Sequence, residues 1–117
     1  METNNKLIVN NKTMENILEE IKQERFEQNA KWGEQNHNLV EWIAILSEEV
    51  GEASKEAVDF HFKNPYKNAH GERQEVLEND VVQQLRLKDY RMELIQVCAV
   101  AVQMIESLER NELSNKQ

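Results

Sequence analysis

Four glutamates at helical spacing, Glu48, Glu49, Glu52 and Glu56, stand in the stretch Ile45-Leu46-Ser47-Glu48-Glu49-Val50-Gly51-Glu52-Ala53-Ser54-Lys55-Glu56. On a helix stepped at about 100° per residue, Trp42, Leu46, Ala53, Ala57 and Phe60 fall within roughly 60° of one another. Ile43 and Val50 widen this apolar arc on one side, and Ile45 widens it on the other. Glu49 and Glu56 land between Ile45 and Trp42, inside the arc. Glu52 lies at its edge, and only Glu48 points clearly outward. Carboxylates turned toward a core repel one another and lose hydration, so they require protons, basic side chains or a cation.

A second helix repeats the pattern. Between Tyr90 and Leu108, Glu93 falls between Val100 and Met104 on an otherwise apolar side, and Gln96 lies one turn away on an adjoining face. If the two helices pack antiparallel, Glu49, Glu52 and Glu56 converge with Glu93. A run of glutamates in an acidic protein is ordinarily a solvated face; here two helices both carry them on the apolar side. Oxygen donors in a chain with one cysteine and three histidines point to magnesium, with manganese as the other choice. Such an ion keeps waters and meets substrate phosphates.

Three basic residues near these acids, Lys31, Lys55 and Arg91, are candidate phosphate partners, although a base beside carboxylates is more often a plain ion pair. Trp32, beside Gly33 in a polar connection, is a candidate for stacking on a nucleobase, whereas Trp42 sits in the middle of the apolar arc and reads as core. His37 is either a substrate contact or a turn residue. No glycine-rich phosphate loop and no nucleophile–base arrangement is present.

The residues Glu48-Glu49-Val50-Gly51-Glu52 resemble the EExxE motif of the MazG-like all-α nucleoside triphosphate pyrophosphohydrolases. The ExxD motif of that family is matched by Glu93-Leu94-Ile95-Gln96, with glutamine in place of aspartate, and Lys31-Trp32-Gly33-Glu34-Gln35-Asn36-His37 is similar to one branch of it. The likeness covers about Arg25 to Leu108. It implies Glu49, Glu52 and Glu93 as metal ligands and Glu48 as a further ligand or the group that orients the attacking water. Gln96 would bring an amide oxygen without charge, and Glu56 or Asp89 would supply the missing charge. The activity implied is metal-assisted hydrolysis of a nucleoside triphosphate to a nucleoside monophosphate and pyrophosphate. Two other readings stay open: a catalytically weak relative that binds nucleotide or metal, and a helical interaction module whose glutamates answer a basic partner.

The elements that must position these groups are helices. Three glycines and one proline in 117 residues, with few β-branched runs, favour an all-α chain. A first helix is expected from an N-cap at Thr13 through Met14, Ile17, Leu18, Ile21, Arg25 and Phe26, fading near Ala30 to Gly33. Asn38 and Glu41 have the spacing of a capping box for a second helix, ending at Asn64-Pro65. Residues 63–84 lack sustained periodicity, and two readings stay open for them: a short helix around Glu72 to Glu78, or a long loop. The last helix begins at Val82 or Leu87 and ends near Leu108. Its centre, Leu94 to Val102, is apolar on nearly every side and needs several covering neighbours. The expectation is therefore a bundle of three to four main helices over 13–110, completed as a homodimer or a dimer of dimers, with a flexible arm over 1–12 and a flexible tail over 111–117. Cys98 reads as a small core residue.

A formal net charge of −8 argues against nucleic acid and anionic membranes as partners. No apolar run is long enough to span a bilayer, and the first residues lack the features of a signal peptide. The expected place is the cytoplasm.

Overall fold

The computed structural model describes the backbone of residues 2–113 and the side chains of residues 11–113. Three helices make up most of it: α1 (Glu2–Trp32), α2 (Leu39–His61) and α3 (Val81–Leu108). The class is all-α. A short π-helical turn, Glu109–Leu113, follows α3. The arm expected over 1–12 and the tail expected over 111–117 lie largely outside the described side chains. Asn11, Lys12 and Thr13 are helical, so Thr13 does not open α1. No glycine or proline interrupts the first 32 residues, and a cap residue in such a run need not act as one.

Gly33 ends α1 in the left-handed region, φ 71°, and its N–H closes the last turn on the Asn29 carbonyl at 2.7 Å. The capping box at the start of α2 forms as its spacing implies. Glu41 N–H donates to Asn38 Oδ1 at 2.8 Å, and Asn38 N–H donates to Glu41 Oε1 at 2.9 Å. At the far end, Lys63 adopts φ 50° before Asn64-Pro65.

The segment after α2 is a loop that carries a small hairpin, and of the two readings left open the short helix around Glu72 to Glu78 does not form. Strand β1 (Tyr66–Lys67) pairs antiparallel with β2 (Arg73–Gln74), Tyr66 opposite Gln74 and Lys67 opposite Arg73. The turn is built by Asn68, whose Oδ1 accepts from the N–H groups of His70 and Glu72, and by Gly71 at φ 79°. The local turn chemistry of Asn68 and Gly71 outweighs the helix propensity of the charged residues beyond it. Asp80 then caps α3, accepting from Val82 N–H at 3.1 Å.

Helix α3 lies at the centre. Both α1 and α2 pack on it, and among the described residues they do not pack on each other. Ile21 of α1 joins Ile95 and Ala99 of α3 in the buried core. On the α2 side Trp42 is 2% exposed, and its indole N–H donates to Ser107 Oγ at 3.1 Å. The buried Arg86 of α3 fastens the C-terminal end of α2, donating to the carbonyls of Asp59 at 3.1 Å and Asn64 at 2.6 Å. Gln83 adds a bond to the Phe60 carbonyl.

One side of α3 has no cover among the described residues. Leu87, Leu94, Cys98 and Ile105 share a face and are all exposed. Cys98 is thus on a bare apolar stripe and not in the core: the helix is apolar all round, but a single chain supplies neighbours for only two of its sides. The radius of gyration, 18.6 Å, exceeds the roughly 13 Å of a compact chain of about 100 residues.

Candidate metal centre

The antiparallel run of α2 and α3 brings Glu49, Glu52 and Glu93 together. One carboxylate oxygen from each lies within 4.8 Å of the others. Glu49 and Glu52 are one turn apart on α2, and Glu93 faces them from α3. Glu49 and Glu93 are half-buried, and Glu52 is exposed. Val50, between them in sequence, is 45% exposed. The helix therefore turns carboxylates inward and leaves a valine outside, the reverse of ordinary amphipathic packing.

The electrostatics follow from this crowding. Burial, reinforced by Glu52, Glu49 and Glu56, raises the Glu93 carboxyl to about 7. Burial also raises Glu49, with help from the charges of Glu52, Glu48 and Glu24. One oxygen of Glu49 and one of Glu93, both Oε2, are buried without a hydrogen-bond partner. Among the described residues, no arginine or lysine is ion-paired with any of the three acids. Glu49, Glu52 and Glu93 together could hold a metal ion through their carboxylate oxygens.

The other expected residues fall in different places. Glu48 is exposed beside Glu49. Glu56 is half-buried and adds its charge to Glu93 from one turn further along α2. Gln96 is half-buried and lines a cavity of about 520 Å³ together with Glu49. The same cavity takes in Lys31, Trp32 and His37. Lys31 Nζ sits 4.6 Å from the centre of the Trp32 ring, and Trp32 is 57% exposed. His37 packs edge-on against Trp42, ring centres 4.8 Å apart.

Two basic residues turn elsewhere. Arg91 makes a two-pronged ion pair with Glu20 of α1, and this pairing holds Glu20 low and Arg91 high. Lys55 pairs with Asp59 at 2.9 Å and lines a separate cavity with Glu56, Asp89 and Arg86. Neither Lys55 nor Arg91 lines the cavity that holds Glu49 and Gln96. Acidic neighbours one turn or one helix away claim them first.

Sequence reasoning missed the contribution of α1. Glu24, Glu27 and Gln28 form one wall of the large cavity, because α1 and α2 straddle α3 and leave a gap between them. Gln103 of α3 closes it from below. A signal existed: Gln28 is seven residues after Ile21, and Gln103 seven after Gln96, so each extends an inward face with an amide. Burial raises the Glu24 carboxyl, reinforced by Glu27 and partly offset by the Gln28 amide and the Lys31 ammonium.

Among the described residues no helix is long and apolar enough to cross a membrane. No family model, no curated protein and no solved structure matches the chain.

Proposed function

We propose that this chain is a MazG-like, magnesium-dependent nucleoside triphosphate pyrophosphohydrolase of the cytoplasm, releasing pyrophosphate and a nucleoside monophosphate. One observation carries the reading: Glu49 and Glu93 each have a buried oxygen without a hydrogen-bond partner, and their carboxylates cluster with that of Glu52. Such a group is costly unless a cation completes it. Glu49, Glu52 and Glu93 would hold magnesium, or manganese, with the Gln96 amide and Glu56 at the margin. When bound, the ion supplies positive charge to a triphosphate and acidifies water.

The chain's own groups supply the rest. Glu48 or Glu49 accepts a proton at its carboxylate as water attacks phosphorus. Lys31 and Trp32 lie together on the cavity wall, a cation and a flat ring suited to phosphate charge and base stacking. The cavity volume is in the range of small-molecule sites.

The assembly proposed is a homodimer or a dimer of dimers. A groove of about 380 Å³ between Leu39, Ile43 and Leu46 of α2 and Met104, Ile105 and Leu108 of α3 is almost wholly apolar, and it continues the bare stripe of α3. A surface of this kind is the signature of an interface.

A second reading is favoured by Gln96. A neutral amide where the motif has an acid fits a relative that binds nucleotide or metal with little turnover. A panel of nucleoside triphosphates incubated with magnesium or manganese, scored for pyrophosphate against orthophosphate, decides. Pyrophosphate release supports the enzyme. Binding without products supports the weak relative, and neither binding nor products removes both.

A further inference from the structure

The connection between α1 and α2 has two sides. Gln35 and His37 line the cavity that reaches Glu49. The residues that alternate with them, Glu34 and Asn36, meet the end of α3 instead. There Arg110, in the turn that follows α3, grips the loop. Its Nη2 donates to the Gln35 carbonyl at 3.1 Å and to Asn36 Oδ1 at 2.9 Å, and its Nε pairs with the Glu34 carboxylate at 3.6 Å. Asn111 donates to the same Asn36 oxygen at 2.9 Å. The Asn111 amide also reaches Ser107 Oγ at 3.2 Å, the atom that takes the indole N–H of Trp42. Trp42 is itself part of the cavity wall.

Within the loop the other side-chain bonds are local. Asn36 donates to Glu34 at 3.1 Å, and Asn38 and Glu41 close the capping box. Gly33 enters the loop at φ 71°, and Glu34, Asn36 and Asn38 are exposed. A polar loop with few buried contacts opens at little cost in free energy. Bonds from a charged guanidinium are stronger than neutral ones, and its planar fork fixes direction as well. Arg110 does not line the cavity, so whatever it does there it does through the loop. Roughly four to five turns of helix separate it from Glu93, which keeps it away from the carboxylate cluster.

We propose that Arg110 is a positioning residue for the substrate cavity: it holds the 33–38 loop so that Gln35 and His37 face the nucleotide, and it thereby sets substrate affinity and not the hydrolytic step. The inference rests on the nucleoside triphosphate reading and adds a determinant of binding outside the cavity wall.

The test measures kcat and KM for dATP, dCTP, dGTP and dTTP with magnesium, together with hydrogen exchange over 33–38 by mass spectrometry. Arg110→Met should raise KM about 10-fold for the triphosphate hydrolysed fastest and leave kcat within about 2-fold. Exchange over 33–38 should quicken while that of the centre of α2 stays as it was. Asn36→Ala, at an exposed loop position, should move KM and exchange in the same direction and serves if the first variant fails to fold. The double variant should lose no more affinity than the weaker-binding single one, because both cut the same connection. Unchanged KM or unchanged loop exchange in the variants overturns the assignment and leaves the enzymatic reading standing. A fall in kcat at constant KM, or additive losses in the double variant, also overturns it. Where the native chain binds these triphosphates without hydrolysing them, calorimetric dissociation constants take the place of KM and the same outcomes decide. Absence of both hydrolysis and binding removes the enzymatic reading and this inference together.

Discussion

Glu49 of α2 and Glu93 of α3 meet across the helix pair, each with a buried oxygen that accepts no hydrogen bond, and Glu52 lies within 4.8 Å of both. Three carboxylates so placed store repulsion that the fold of the chain must overcome. Anything that neutralises them stabilises the folded state.

Magnesium at millimolar concentration should therefore raise the melting temperature by roughly 5–10 °C, the shift expected from a ligand at about 100 times its dissociation constant. Glu52→Gln should remove most of that rise. Differential scanning calorimetry with magnesium, manganese or chelator measures it. A melting curve indifferent to both metals would count heavily against the site.

The pH dependence has a definite sign. The Glu93 carboxyl is raised to about 7 in the folded chain, above the ordinary 4.5 of a glutamate. Between these values the folded state binds the proton more tightly than the unfolded state. Its contribution to stability is full below the unfolded value and is lost as pH rises through about 7. Metal-free protein should melt lower at pH 8 than at pH 5, and Glu93→Gln should flatten that slope. Magnesium should bind with release of a proton near pH 6 to 7, more tightly as pH rises. Thermal melts across pH, in chelator and in magnesium, read both effects.

The bare stripe of α3 and the groove beside it should be buried between two copies of the chain. Sedimentation at micromolar concentration should give a dimer or a tetramer. Ile105→Lys, at a position that is 56% exposed in one chain, should dissociate it and lower its stability. A folded monomer of the native protein would refute this assembly.

Gln96→Asp tests the neutral position in the motif. With the amide beside the metal, an added charge should tighten magnesium binding several-fold and raise hydrolysis, blunted by the loss of one methylene. Gln96 packed against a partner chain predicts the opposite, a newly buried charge and a lower melting temperature. Magnesium titration and thermal melts of this variant separate the outcomes.

Much of this was legible in the sequence because it depends on helical periodicity alone. The angular placement of Glu49 and Glu56 inside the arc of Trp42, Leu46 and Ala53 follows from 3.6 residues per turn. The capping box of Asn38 and Glu41 is local, and so is the helix stop at Gly33. Tertiary structure decided which sides of those helices found a neighbour. Cys98 and Leu94 sit in a run apolar on every side, and only packing shows that α1 and α2 cover two sides and leave theirs bare. Arg91 was sorted the same way, since acids lie near it in sequence but Glu20 of α1 comes closer in space; Lys55 is claimed within its own helix by Asp59, four residues on. The hairpin at Tyr66 and Gln74 depends on the Asn68 turn, whose short-range hydrogen bonds leave no periodic trace. Gln28 and Gln103 are 75 residues apart, and no pattern within either helix announces a partner in the other. Periodicity fixes which face a residue occupies, and only the meeting of faces fixes what that residue touches.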